Sequence, residues 1–150
     1  MRVVVQRAAS ARVTIAGRVA GRIDRGLLVF VGIEAADTAA DGEWLAQKLA
    51  KLRIFADEAG QMNKSVTDIG GDILLISQFT LHASTQKGTR PSFNAAAKPE
   101  HAQPLYAQFA AQLTAALGRP VATGEFGAHM DVALVNDGPV TLIIDSKARA

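Results

Sequence analysis

The stretch Asp72-Ile73-Leu74-Leu75-Ile76-Ser77-Gln78-Phe79-Thr80-Leu81 decides the fold. It follows Gly70-Gly71, and its unbroken apolar run gives way to polar residues at the carboxyl end. An apolar run without alternation, opened by glycines, reads as a strand buried on both faces. Leu27-Leu28-Val29-Phe30-Val31, behind Gly26, repeats the pattern. Such strands need a layer over each face, and the chain supplies candidates. Thr38 can cap a helix running to about Leu52, with Leu45, Leu49 and Leu52 in one stripe and Trp44 and Lys48 beside it. Pro99 suits the first turn of a second helix ending at Gly118, with Leu105, Phe109, Leu113 and Leu117 on one face. Pro104 inside this pattern points to a later start.

Outward from these elements, period-two alternation predicts an opening strand with Val3, Val5 and Arg7 on one face and Arg2, Val4 and Gln6 on the other. Val13 and Ile15, then Val19 and Ile23, flank Gly17 as a hairpin. The pattern continues Asp72–Leu81 as one strand, with Phe79 facing away from Gln78 and Thr80. His82 to Lys98 reads as a long loop, a length that inside a compact domain usually carries function. Three closing strands are predicted over 121–123, 130–135 and 140–144, with Asn136-Asp137-Gly138-Pro139 turning between the last two. The expected fold is one α/β domain over residues 1–150: a mostly antiparallel sheet or barrel with two long helices.

Composition excludes several classes. An apolar fraction of 49% with 20% charged residues belongs to a globular core, not to disorder. No apolar run approaches the ~18 residues of a membrane span, and Met1-Arg2-Val3-Val4-Val5-Gln6-Arg7 does not read as a signal peptide. Without cysteine there is no disulfide, thiolate nucleophile or thiolate-bound metal. A soluble, cytoplasmic protein is expected. Its charge is unevenly spread: Arg2, Arg7, Arg12, Arg18 and Arg22 lie in residues 1–23, and Lys87, Arg90 and Lys98 in residues 73–99, with no acid in either block. Such ground suits phosphates, and it equally suits the wet face of a strand.

Familiar catalytic patterns are missing. His82, His101 and His129 are too widely spaced for a helical metal motif, so neither a metal nor another cofactor is expected. Neither a phosphate-binding glycine loop nor a Gly-x-Ser-x-Gly elbow occurs. Two segments remain. Ser77, Gln78 and Thr80 stand at the end of a buried strand, where a site and a plain strand exit look alike. Asn136-Asp137-Gly138-Pro139-Val140-Thr141 is made of turn residues, yet proline removes a donor where a strand should begin pairing.

Taken together, Ser77-Gln78-Phe79-Thr80-Leu81 with Arg90-Pro91-Ser92-Phe93, and Gly124-Glu125-Phe126-Gly127-Ala128-His129-Met130 leading to Asn136-Asp137-Gly138-Pro139-Val140-Thr141, resemble the D-aminoacyl-tRNA deacylase family. The opening heptapeptide and Met62-Asn63-Lys64-Ser65-Val66 are similar to it too, in the same order along nearly the whole chain. Two departures stand out: His82 where an aromatic or small residue is common, and the tail 146–150, without a clear counterpart.

The resemblance implies a homodimer with active sites at the subunit interface, hydrolysing the ester between a D-amino acid and the 3′-terminal adenosine of tRNA. It implies Gln78 and Thr80 as the catalytic pair, and Ser77, Phe79 and Met130 as substrate contacts. Gly138-Pro139, with a cis peptide bond, would read chirality in the partner subunit's pocket, with Arg7 fixing that motif. A proofreader that accepts many side chains can read only the amino group, Cα and ester. Two carbonyls turned to one side can hold an ammonium while blocking an L substituent, and glycine admits the close approach. Two hydrolytic routes stay open. Thr80 attacks as nucleophile, or water attacks with backbone N–H groups on the oxyanion and the substrate 2′-hydroxyl assisting; no base beside Thr80 is evident in the sequence. A binding module without turnover and an editing hydrolase of other selectivity are the competing classes.

Overall fold

In the computed structural model, which describes residues 1–149, one long strand carries the architecture. Strand β1 (Arg2–Ile15) turns through Ala16-Gly17 into β2 (Arg18–Ile23). Both turn residues have positive φ, 49° and 77°, the two-residue geometry whose twist matches the flanking strands. There follow β3 (Gly26–Gly32), α1 (Ala39–Lys51), β4 (Phe55–Ala56), β5 (Met62–Lys64), β6 (Asp72–Ser77), a 3₁₀ turn over Phe79–His82, α2 (Pro99–Leu117), β7 (Ala122–Thr123) and β8 (Asp131–Asp145). The main sheet runs β2-β1-β3-β6-β7, with β8 on the free edge of β1; β4 and β5 form a small separate ribbon. β6 lies parallel to β3 and β7, since α1 crosses over between β3 and β6, and the other pairs are antiparallel. β2 and β7 nearly close the sheet into a barrel: a Cβ on Gly21 would stand 2.7 Å from the Thr123 carbonyl oxygen, so only glycine allows that approach.

Alternation explains why two strands are apolar throughout. Leu27, Val29, Ile73 and Leu75 face the helices and pack with Leu45, Leu49, Phe109 and Leu113, all fully buried. Leu28, Leu74 and Ile76 face the opposite way, into a barrel interior with Val13, Ile15 and Ile23. In α1 the Thr38 N–H donates to Asp41 Oδ2 at 2.9 Å, satisfying an otherwise orphaned amide. α2 begins at Pro99 and runs through Pro104 without interruption. The ~3 kcal/mol that an interior proline costs is outweighed by Ala102, Tyr106, Phe109, Leu113 and Leu117 buried on one face, at about 1.5–3 kcal/mol per large side chain. Tyr106, rather than the predicted Leu105, is the buried member of its turn, and its hydroxyl donates to the Leu75 carbonyl at 3.1 Å.

Two expectations are corrected. The strand beginning at Asp72 ends at Ser77, and Phe79–His82 winds into a 3₁₀ turn, so Phe79, Gln78 and Thr80 do not alternate as strand residues. The predicted turn between closing strands is no reversal either. Residues 131–136 and 141–145 both pair antiparallel with β1 along one continuous strand. Register passes from Ala8↔Asn136 to Gln6↔Thr141, so residues 137–140 loop out of the ladder as a bulge. Proline is tolerated there because the bulged residues owe β1 no hydrogen bond.

The tail fastens the end of β8 to α1. Asp41 accepts from Lys147 Nζ at 3.1 Å, and the Arg149 guanidinium lies 4.3 Å from the centre of the Trp44 ring. Ala150 of that tail lies outside the described residues. Among the described residues, no helix is long and apolar enough to cross a membrane.

Candidate active site

The end of β6 builds the first part of the site. The Gln78 N–H donates to the Val31 carbonyl at 2.7 Å, extending the ladder one residue past Ser77. The backbone then tightens, with Leu81 N–H donating to Gln78 O at 3.2 Å and Ala83 N–H to Thr80 O at 3.0 Å. Across this turn Gln78 Nε2 donates to Thr80 Oγ1. No His, Asp or Glu among the described residues hydrogen-bonds to the Thr80 hydroxyl. Phe79 is thrown outward, 57% exposed, with its ring 5.2 Å from that of Phe93 in an edge-to-face pair. His82 closes the turn in a buried position, its Nδ1 3.8 Å from Glu34 Oε2 and its Nε2 without a partner among the described residues.

Above the turn opens a pocket of about 580 Å³. Ser77, Gln78 and Phe79 form one wall, the start of α2 with Ala96 to Pro99 a second, and Phe126 to Met130 a third. Phe126 is braced by Tyr106 at 5.8 Å, and burial pushes the Tyr106 hydroxyl up to about 12, so it remains a hydrogen-bond donor at ordinary pH. The lining is mainly apolar; Lys98 and His129 are its titratable groups, and it contains no carboxylate. Such a hole, apolar with a few polar groups at one edge, has the usual form of a small-molecule site.

The bulge in β8 is the second part. Asn136 closes its neck, accepting from Val140 N–H at 3.2 Å and donating to Thr141 Oγ1 at 3.0 Å. Arg7 braces it from β1: Nε donates to the Asp137 carbonyl at 3.0 Å and lies 3.2 Å from Asp137 Oδ2, while Nη1 donates to the Ile54 carbonyl at 2.7 Å. The Gly138–Pro139 bond is cis. Gly138 has φ +124°, and a Cβ there would lie 2.7 Å from Arg7 Nη2, so the position admits only glycine.

Of the residues singled out by the sequence, Ser77, Gln78, Phe79 and Met130 meet at the pocket, with Thr80 tied to Gln78 just outside its lining. Arg7, Gly138 and Pro139 meet at the bulge, and none of them lines the pocket of the same chain. Sequence reasoning missed Phe93, Phe126 and Lys98 as walls. The two phenylalanines stood inside the quoted motifs, but no linear pattern says that the start of α2 meets them.

A family model described as D-Tyr-tRNA(Tyr) deacylase matches residues 4–145. The chain is 60% identical over 149 residues to the D-aminoacyl-tRNA deacylase of Opitutus terrae, covering 99% of each. It is 55% identical over 147 residues to that of Dechloromonas aromatica, covering 98% of each. Among solved structures, one described as c-Myc DNA Unwinding Element Binding Protein superposes with TM-score 0.93 at 42% identity, over 99% of this chain and 100% of that one. A probable eukaryotic D-amino acid tRNA deacylase shares the fold, with TM-score 0.85 at 19% identity over 96% of this chain and 98% of that one. By a family match over nearly its full length and relatives of this identity, the chain belongs to the D-Tyr-tRNA(Tyr) deacylase family, and with it to the hydrolases that deacylate D-aminoacyl-tRNA.

Proposed function

We propose that the chain is a chiral proofreader in the cytoplasm, releasing D-amino acids from the 3′-terminal adenosine of tRNA as a homodimer. The observation that carries this reading is the separation of the two site parts. Each pocket lacks the bulge of its own chain, and a twofold dimer can bring one chain's bulge to the other chain's pocket reciprocally. The terminal adenosine occupies the apolar pocket, with Ser77 and Phe79 at its edge and Met130 on the far wall. The ester lies over the 78–80 turn, and the partner subunit's Gly138 and Pro139 face Cα of the amino acid.

Hydrolysis proceeds by direct attack of water on the ester carbonyl. The oxygen of water bonds to the acyl carbon, the acyl–oxygen bond to the ribose breaks, and the departing 3′-oxygen takes up a proton. Backbone N–H groups of the turn hold the oxyanion, a contribution of about 10²–10³ in rate for one such donor. The substrate's 2′-hydroxyl assists. Thr80 already accepts a hydrogen bond from Gln78 and has no base beside it, which supports positioning of the ester over nucleophilic attack.

Chirality is read by exclusion: a bulky group on the L side meets the bulge, and hydrogen does not. Deacylation of matched D-tyrosyl-, L-tyrosyl- and glycyl-tRNA at equal enzyme tests the whole reading. The D-tyrosyl and glycyl esters should be cleaved and the L-tyrosyl ester spared. Equal rates on D- and L-tyrosyl-tRNA would remove the proofreading role, and tight tRNA binding without turnover would make the chain a binding module. Resistant glycyl-tRNA would replace steric exclusion by positive recognition of a D side chain.

A further inference from the structure

We infer that the hairpin over residues 84–92, together with the Phe79–Phe93 pair and Lys98, forms a track for the single-stranded RNA immediately 5′ of the terminal adenosine. The inference rests on the deacylase reading and extends it beyond the pocket. Ser84 and Ser92 exchange backbone hydrogen bonds, both at 2.8 Å, and so close the intervening loop into a hairpin. Both its feet stand on the rim: the 3₁₀ turn on one side, Phe93 on the other. Four residues separate each foot from the tip, which therefore lies at most about 14 Å from the pocket mouth.

The tip carries Lys87 and Arg90, both exposed, and Lys98 stands on the pocket wall. None of these cations is ion-paired among the described residues, and no acid occurs in residues 73–99. The other acid-free block is used differently. Arg2 donates to Asp145 Oδ2 at 3.0 Å and to the Leu81 carbonyl at 2.9 Å, and Arg7 is consumed by the bulge. Arg12, Arg18 and Arg22 lie in β1 and β2, which add no residue to the pocket lining. Of two basic blocks that look alike in sequence, only the second adjoins the site with its charges unspent.

The aromatic pair supplies the other half of the chemistry. Phe79 and Phe93 are 57% and 39% exposed at a pocket lined mainly by apolar side chains, and they pair edge to face, an arrangement to which a further π system can add. A positive groove with exposed aromatic rings is the common solution for holding single-stranded nucleic acid, phosphates on the cations and bases on the rings. No carboxylate lines the pocket beside the pair, so nothing in that lining repels the phosphates that link the bases.

The experiment compares the parent protein with the double variant Lys87→Gln, Arg90→Gln. Uncharged CCA trinucleotide binding is measured across salt, and D-tyrosyl esters of adenosine and of whole tRNA serve as substrates. In the parent, the trinucleotide should bind more tightly than adenosine. In the variant it should bind about tenfold more weakly, and the slope of log affinity against log salt should fall by about 0.7 for each charge removed. KM for D-tyrosyl-tRNA should rise in step with kcat unchanged. The adenosine ester, which carries no phosphate, should keep its parental KM. An unchanged trinucleotide affinity or salt slope overturns the track, as does an equal loss on the adenosine ester. Better competition by an acidic peptide than by the trinucleotide would assign the hairpin to a protein partner instead. The binding arm stands without turnover, so a protein that hydrolyses neither ester would defeat the deacylase reading and leave the track independently decided.

Discussion

The turn at residues 78–82 and the bulge at residues 137–140 both begin where a strand leaves its ladder, yet one lines a hollow and the other protrudes. Their places in the sheet explain the difference. β6 is paired on both sides, by β3 and β7, so its chain can depart only at its end, where it runs over the pocket. β8 pairs with β1 alone, so it can eject four residues mid-strand and resume its register. An interior strand thus yields a hollow and an edge strand a protrusion, and within a single chain the protrusion adds no residue to the hollow's lining.

The largest effect is expected when the turn and the bulge are disabled in separate chains. Gly138→Ala places a Cβ against Arg7 in a backbone conformation that L residues rarely adopt, and Gln78→Ala removes the donor to Thr80. Each variant alone should lose about 10²-fold or more in deacylation, the usual cost of misplacing a site by about an ångström. Mixed in equal amounts and allowed to exchange subunits, they should regain about a quarter of the parental rate, since half the dimers would carry one intact site. Failure to complement, with exchange verified by mass, would place turn and bulge in the same chain's site.

A smaller effect sharpens the reading of the turn. Thr80→Ala should retain measurable turnover, reduced about tenfold, because one hydroxyl hydrogen bond of about 1 kcal/mol is lost while Gln78 keeps its place on the pocket wall. D-tyrosyl-tRNA with a terminal 2′-deoxyadenosine should fall further than that with the parent protein. Trapping of an acyl group on Thr80 would reverse the assignment.

The smallest effect belongs to a region outside both turn and bulge. Burial pushes the Asp41 carboxyl up, but hydrogen bonds from the Ser146 side chain and the Thr38 backbone, and the Lys147 ammonium, outweigh it and hold the group well below the usual carboxylate range. A carboxyl depressed in the folded state adds stability above its unfolded value near 4, and that stability is lost as pH falls below it. Asp41→Asn should therefore lower the urea midpoint at pH 7 and narrow the gap between pH 7 and pH 3. Its kcat/KM at pH 7 should match the parent's. An altered rate would connect the tail to the site.

Much of the fold was legible in one dimension because its signals are local. The unbroken runs 27–31 and 73–76, the stripes of α1 and α2 and the glycine at the β1–β2 turn each follow from side-chain periodicity or a single backbone conformation. Ser77 to Thr80 stood out as polar residues at the end of an apolar strand, and Gly138-Pro139 as a pair odd for an ordinary turn. Tertiary structure decided the rest. A hairpin and a bulge share the same turn residues, and only pairing of both flanks with β1 distinguishes them. Phe93, Phe126 and Lys98 are far apart in the chain, so their meeting at one pocket depends on how α2 packs across β6. The two acid-free blocks have the same composition signature, but charge in sequence does not record which carboxylates and carbonyls stand nearby. By itself the sequence determined the doubly buried strands 27–31 and 73–76, the two helices and the β1–β2 turn, because these are set by neighbours a few residues away. Which arginines are spent on structure, which strand may bulge and which walls enclose the pocket were decided by contacts across the fold, because those energies depend on distance in space rather than along the chain.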